Sequence, residues 1–481
     1  MLFPTVAFAT FFCVAFLANW LLRPHHRLWR LVMTLLSLFF YGWWDYRFVA
    51  LLALAIVLNH LSAQAVHRWT PGRGPSIAGQ AALVAGITAN LAILAVFKYY
   101  GFFVTSATNM VNRTGLNLAP PLLEVTLPIG ISFYTFQAIS YIIDVHRGTL
   151  RRPMVFLDFA FYLSFFPQLV AGPIVRATEM VDQIRRRPDP RSIPASEALW
   201  LITLGLFKKV VISSYLAKQL VDPVLGLPSQ HSGLEVTAAV YAYSIQIYAD
   251  FSGYTDMAIG CALLLGFRFP QNFNAPYRAQ SVSDFWRRWH MSLSRWLRDY
   301  LYLPLGGNRG GKWLTYRNLL LTMLLGGLWH GAAFTFIVWG LAHGLMMSLE
   351  RAMGEWWKSL GVMPWAIATF RWLITFNFVT MAWVLFRAES LAHALEIYQV
   401  MFSFAAAPAS VPFVQQLTVV AVVLTLAAVG SHFVPPTATR WWRWEISRLN
   451  PAMLAVLLAV TLTAADALGP QGVAPFIYFQ F

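Results

Sequence analysis

Two histidines are the side chains whose surroundings best suit chemistry. His290 sits in FWRRWHMSLSRW and His330, 40 residues later, in LLGGLWHGAAFTFIVWG. His330 is the only ionisable group in residues 324–340, and Gly327 and Gly331 are close by. An imidazole can take up a proton, pass it on or ligate a metal near neutral pH. An ionisable group inside an apolar segment is costly to bury and points to function by default. Each histidine also has a plain structural reading, a core imidazole hydrogen-bonded to a helix carbonyl. Residue type and spacing leave both readings open. The glycines would let a second backbone or a substrate approach His330 closely.

Other groups are weaker candidates. YADFSGYTD at 248–256 puts Asp250, Tyr254 and Asp256 in an apolar setting. These are expected to pair within a helix bundle, with lining of a tunnel as the alternative. Cys13 and Cys261 both fall in apolar segments and read as inert buried thiols. No CxxC pair or Cys/His cluster has metal spacing, so no metal site is expected. The terminal PFIYFQF carries no charged side chain. Residues 476–481 therefore read as an aromatic tail anchored at a membrane interface.

The elements that must position these groups follow from composition. The 481 residues are 58% hydrophobic and 11% charged, against roughly 25% charged in soluble domains. The chain therefore reads as a polytopic all-α integral membrane protein. A span needs about 20 mostly apolar residues. On that basis roughly 11–13 spans are expected, with shorter segments re-entrant or interfacial. Residues 3–22 read as a retained first span, because no basic leader or small-residue cleavage site precedes them. Residues 234–250 and 253–267 read as two separate segments. The whole of 1–481 reads as one membrane domain without a soluble one.

Net charge is +15. Arginines cluster after the first, third and fifth spans, which puts the N-terminus outside the cell by the positive-inside rule. RRRPDPR at 185–191 then reads as a cytoplasmic turn. Lys and Arg form no run that would track a groove, so nucleic acid is not expected as a partner. A basic cytoplasmic face instead suits anionic lipid or an acidic, nucleotide-bearing donor.

Residues 286–301 are predicted to form one amphipathic interfacial helix. At about 100° per residue, Trp286, Trp289, His290, Leu293, Trp296, Leu297, Tyr300 and Leu301 share one arc. Arg287, Arg288, Arg295 and Arg298 share the other, where donor or lipid phosphates could be met. Asp284 is expected as an N-cap or first-turn acid. The glycines of LGGNRGG at 305–311 should end the helix in a turn.

FWRRWHMSLSRWLRDYLYLPLGGNRGG followed by LLGGLWHG resembles the membrane-bound O-acyltransferase family, in its bacterial branch that modifies exported polymers. LPIGISFYTFQAISYIIDVHRG, FFPQLVAGPIVR, YADFSGYTDMAIG and PFIYFQF also look like alginate-type members, in the family's order. The resemblance implies helices wrapped around a central tunnel, with His330 and His290 as catalytic residues. It implies an acetyl group taken from a cytoplasmic thioester, such as acetyl-CoA, towards O-acetylation of an exported polysaccharide such as alginate. No bound cofactor is implied. Periplasmic partners, among them a hydrolase-like acetyltransferase, would complete the transfer in a bacterial inner membrane. The family likeness of the tail makes Tyr478 a candidate transient acyl acceptor. The segment 434–450 is shorter than in alginate-type relatives, which keeps cellulose, teichoic acid and other polymers open. From the residues alone two further classes stand beside this one. One is a transporter with midplane ionisable groups. The other is a b-type haem protein ligated by His290 and His330.

Overall fold

The computed structural model describes residues 1, 3–70, 76–116, 119, 126–170, 172–186, 188–354, 363–403, 419–449, 453–454, 456–457, 459–461, 463 and 476–477. Helices dominate and no strand occurs among the described residues. The protein is a polytopic helical membrane protein. Backbone N–H and C=O groups in hydrocarbon must be satisfied within each segment, which only helices achieve in an open chain. Two compact units are formed, residues 1–194 with 261–270, and residues 195–260 with 271–481.

In the first unit, α1 (Val6–Leu22), α2 (His26–Gly42), α3 (Arg47–Trp69), α4 (Ile77–Leu94) and α5 (Tyr100–Asn112) precede α6 (Ile131–His146), α7 (Phe156–Ser164) and α8 (Ala177–Arg185). A π-turn, Ala95–Tyr99, joins α4 to α5. Polar groups on packed faces find partners. Asn59 and Asn90 exchange side-chain hydrogen bonds at 3.0 and 2.7 Å between α3 and α4. Arg30 on α2 pairs with Asp158 on α7. Cys13 departs from expectation, because it lies on an exposed face of α1, whereas Cys261 is buried. A short 3-10 element, Pro190–Ser192, follows α8, and Asp189 before it accepts from the Arg191 amide at 2.9 Å.

In the second unit, α9 (Ala195–Leu206) runs on through π-turns at 207–213 and 217–221. It packs on α10, Gly233–Leu264. α10 is one continuous 32-residue helix, not the two segments expected. Gly253 interrupts the apolar pattern without breaking the helix, because it serves as a contact. A Cβ there would meet the Gly205 carbonyl oxygen at 2.8 Å. Then come α11 (Val282–Trp286), α12 (Met291–Leu297), α13 (Lys312–His330), α14 (Phe334–Ala352), α15 (Pro364–Arg387), α16 (Leu391–Ser403), α17 (Val419–Ser431) and α18 (Pro436–Ser447).

Among the described residues, four runs are long and apolar enough to cross a membrane: Arg47–Trp69, Ile77–Asn112, Ala195–Gly226 and Pro364–Arg387. Val6–Leu22 and Val419–Ser431 are shorter apolar helices. Trp43, Trp44, Trp69, Trp313 and Trp365 are exposed and stand at helix ends. Indole rings are most stable at the water–lipid boundary, so these positions suit the edges of the bilayer.

Candidate active site

The segment expected as one helix over 286–301 is broken. α11 ends at Trp286, α12 starts at Met291, and a π-turn follows at Arg298–Tyr302. The break centres on His290, which has φ +42 although it carries a side chain. Such a left-handed residue costs roughly 1–2 kcal/mol and must be held by its surroundings. Asn272 holds it. The Asn272 carbonyl accepts from the Met291 amide at 2.9 Å. Its Oδ1 accepts from the Ser292 amide at 3.0 Å and the Ser292 hydroxyl at 2.9 Å. His290 Nδ1 lies 3.3 Å from the same oxygen.

That geometry assigns the imidazole tautomer. The Ser292 amide can only donate, so the Asn272 atom facing it is the oxygen. Oδ1 cannot donate, so Nδ1 carries the hydrogen in this bond and Nε2 carries the lone pair. The Asn272 side-chain oxygen therefore orients the ring, as a hydrogen-bond partner commonly does for working histidines.

The predicted arc survives the break. Trp286, Trp289, His290, Leu293, Trp296, Leu297 and Tyr300 are all buried, while Leu301 is half-buried. Arg287 and Arg298 are exposed, and Arg288 and Arg295 are intermediate. Ser281 is the N-cap of α11, accepting from the Asp284 amide at 2.9 Å, and Asp284 is the first-turn acid. Glu350 from α14 accepts from the Val282 amide at 2.6 Å. Burial pushes the Glu350 carboxyl above its usual range, against the opposing pull of that amide and nearby Arg371 and Arg287.

His330 is the last residue of α13 and is 3% exposed. Glycines set its place. α13 and α14 form a tightly packed antiparallel pair. A Cβ at Gly327 would collide with the Phe336 carbonyl, and one at Gly340 with the Met323 carbonyl. One at Gly331 would strike the Phe336 ring. Small residues at the seam let two backbones approach, as in other membrane helix pairs. The approach fixes His330 against Trp339 and Phe386, with ring centroids 5.1 and 5.3 Å away.

The two histidines meet through one ring. Trp329 is 6.0 Å from His290 and 5.0 Å from His330, centroid to centroid. A third histidine, His343 on α14, was not singled out from sequence. It is fully buried, 4.6 Å from Trp339, and its Nδ1 accepts from the Trp286 indole N–H at 3.2 Å. Its signal was present as AHG within an apolar helix. Asn272 carried no comparable signal.

A cavity of about 360 Å³ opens on the Trp286 side of this cluster, with neither His290 nor His330 in its wall. Trp286, Met291, Met323 and Met347 line it, with Arg287, Arg295 and Arg298. Arg288 is not in its wall. It pairs with Asp284 at 3.0 Å. The Trp286 wall connects to His330 through Trp339, 5.7 Å from Trp286.

Asp250 and Asp256 pair within the bundle, as expected. Lys209 in the π-turn after α9 meets Asp250, and both are almost fully buried. Lys208 meets Asp256 at 2.7 Å. Tyr254 packs on Phe476 at 4.6 Å. Phe476 and Ile477 are buried at 0% and 3% exposure, so this part of the tail is packed in the bundle and not at an interface. Tyr478 lies outside the described residues.

A profile of the membrane-bound O-acyltransferase family matches residues 149–392, which include both histidines and the cavity. The chain belongs to the membrane-bound O-acyltransferase family. It is 40% identical over its full length to the full length of the probable alginate O-acetylase AlgI of Pseudomonas putida. It is 38% identical to the peptidoglycan O-acetyltransferase of Helicobacter pylori, over 83% of this chain and 80% of that one. It is 29% identical to the teichoic acid D-alanyltransferase of Bacillus subtilis, over 55% of this chain and 70% of that one. As a family member the protein is a membrane O-acyltransferase, which sets aside the transporter and haem readings.

Proposed function

We propose that this acyltransferase moves an acetyl group from a cytoplasmic thioester, acetyl-CoA or an equivalent, towards O-acetylation of an exported polysaccharide. The observation that carries the reading is the pair of buried histidines meeting at Trp329, joined through Trp339 and Trp286 to the wall of an arginine-rimmed cavity. In it His330 is the general base. The acceptor hydroxyl gives its proton to the imidazole as its oxygen bonds the thioester carbon. The carbon–sulfur bond then breaks, and the leaving thiolate takes the proton back from the imidazolium. General-base help of this kind is worth roughly 10²–10⁴-fold. His290, with Nδ1 committed to Asn272, turns Nε2 towards the acceptor or towards orientation of His330.

The cavity suits the donor. A volume near 360 Å³ is within the range of small-molecule sites. Methionine and tryptophan would face the apolar arm of the thioester, and Arg287, Arg295 and Arg298 its phosphates. Arg288, outside the cavity wall, would contact donor or lipid phosphate less. Among polymers, alginate is favoured by the 40% full-length identity to a protein named for it. In this reading the protein lies in a bacterial inner membrane, N-terminus periplasmic, among lipids. It passes the acyl group to a periplasmic acetyltransferase or acyl-relay protein, with Tyr478 as the transient acceptor in the tail.

Membranes containing the full-length protein test the chemistry. Free thiol released from acetyl-CoA is followed in wild type, His330→Ala and His290→Ala. Release that disappears in His330→Ala supports the reading, and release unaffected by either substitution refutes it. Acyl-modified peptides containing Tyr478, sought by mass spectrometry, test the relay. Full activity in Tyr478→Phe would refute it.

A further inference from the structure

The buried Lys209–Asp250 pair does more than neutralise itself. Asp250 Oδ1 takes Lys209 and, at 3.2 Å, the Ser213 hydroxyl. Its second oxygen, Oδ2, accepts from the backbone amide of Ile477 at 2.8 Å, across 227 residues of chain. An ion pair alone would need only the first oxygen. Next to that amide, the Phe476 ring sits between Phe251 at 5.6 Å and Tyr254 at 4.6 Å. The seat combines a charge-assisted bond to main chain with an aromatic slot, the two elements by which an extended segment is held in place. Asp250, Phe251 and Tyr254 occupy one stretch of α10, and Gly253 in the same stretch brings α9 and its lysine close enough to pair. Phe251 also meets His290 edge to face at 4.7 Å. The slot that receives Phe476 is therefore one ring away from a candidate catalytic histidine.

We infer that Asp250, clamped by Lys209, is a positioning residue that docks the chain's own C-terminal segment at Phe476–Ile477 beside the His290 pocket. The inference rests on the reading that the tail takes part in acyl transfer, because Tyr478 is the next residue in sequence. Docking supplies what a relay needs, a fixed start for the segment that follows. It also braces Phe251 against His290, so release of the tail would loosen the imidazole.

Hydrogen–deuterium exchange of the full-length protein in detergent tests the docking directly. A bond to a buried carboxylate should slow exchange of the Ile477 amide, and Asp250→Ala should speed it about tenfold to a hundredfold. Asp250→Asn keeps an acceptor oxygen and should restore part of the protection. Because Asp250→Ala strands a buried lysine, Ile477→Pro serves as the second variant. It deletes the donor and leaves the ion pair intact, and exchange at the Phe476 amide should rise. Ile477→Val keeps the amide and should behave as wild type. Ile477→Pro and Asp250→Asn should each lower thiol release from acetyl-CoA, and the double variant should lose less than the sum, since the two share the contact at the Ile477 amide. Unchanged exchange in both Asp250→Ala and Ile477→Pro overturns the docking. Raised exchange with unchanged thiol release overturns the positioning role. Thiol release unaffected even by His330→Ala refutes the acyl-transfer reading separately.

Discussion

Asn272→Ala removes an acceptor on which three groups converge. The Ser292 hydroxyl can rotate, and at 3.5 Å it is a poorer substitute acceptor for His290 Nδ1, but the buried Ser292 amide loses its partner. Leaving that buried donor unsatisfied costs about 1–3 kcal/mol. The strain of the φ +42 backbone at His290, about 1–2 kcal/mol, then loses its restraint. Both terms favour a relaxed loop, so His290 should shift from its present pose. Displacing a catalytic group by about 1 Å costs on the order of 10²-fold in rate. The expected outcome is a loss of that size in thiol release from acetyl-CoA, with the protein still folded and inserted. Asn272→Asp keeps an acceptor at the same atom and should retain most of the turnover. The added negative charge favours the protonated form of His290, so any part of the pH profile that needs neutral His290 should move to higher pH. Measurement needs initial rates across pH in membranes with matched protein levels. Wild-type turnover in Asn272→Ala would show that the pose of His290 is irrelevant to the reaction.

Gly340→Ala forces a methyl group against the Met323 carbonyl at the α13–α14 seam, and overpacking of this kind costs about 1–3 kcal/mol. Thermal unfolding in detergent should show a lower midpoint, with activity falling as His330 shifts, and an unchanged midpoint would contradict the close-packed seam. Arg295→Gln and Arg298→Gln should raise KM for acetyl-CoA with little change in kcat, as expected when only uniform binding is lost. Arg288→Gln should do less, because that side chain is not in the cavity wall. Equal effects from all three would detach the cavity from the donor. Lys209→Met should destabilise the fold by about 3–5 kcal/mol, since it strands a buried carboxylate.

The helical membrane class was legible because hydropathy is a property of every residue. Burial along 286–301 was legible too, because Trp289, His290 and Leu293 face inward whether or not the helix is continuous. The break at His290 was not. A positive φ at a non-glycine is imposed from Asn272, 18 residues earlier, and no local pattern announces it. His330 stood out because nothing else ionisable surrounds it and because its glycines serve the seam they suggested. The partners of Asp250 and Asp256 were hidden for a different reason. Both face a neighbouring helix, so Lys208 and Lys209 lie outside any window that periodicity can scan. The tail misled in the opposite sense: its aromatic residues suggested an interface, yet Phe476 is packed among Phe251 and Tyr254 because Asp250 holds the amide beside it. α10 was split in two by reading Gly253 as a breaker where it is a contact.

The most direct test of the account is the ester-linked acetyl content of the exported polysaccharide, wild type against His330→Ala, at matched levels of membrane-inserted protein. Loss of acetyl with unchanged polymer yield is the predicted result. Unchanged acetylation would make His330 a core histidine and contradict the assignment of the reaction to this site.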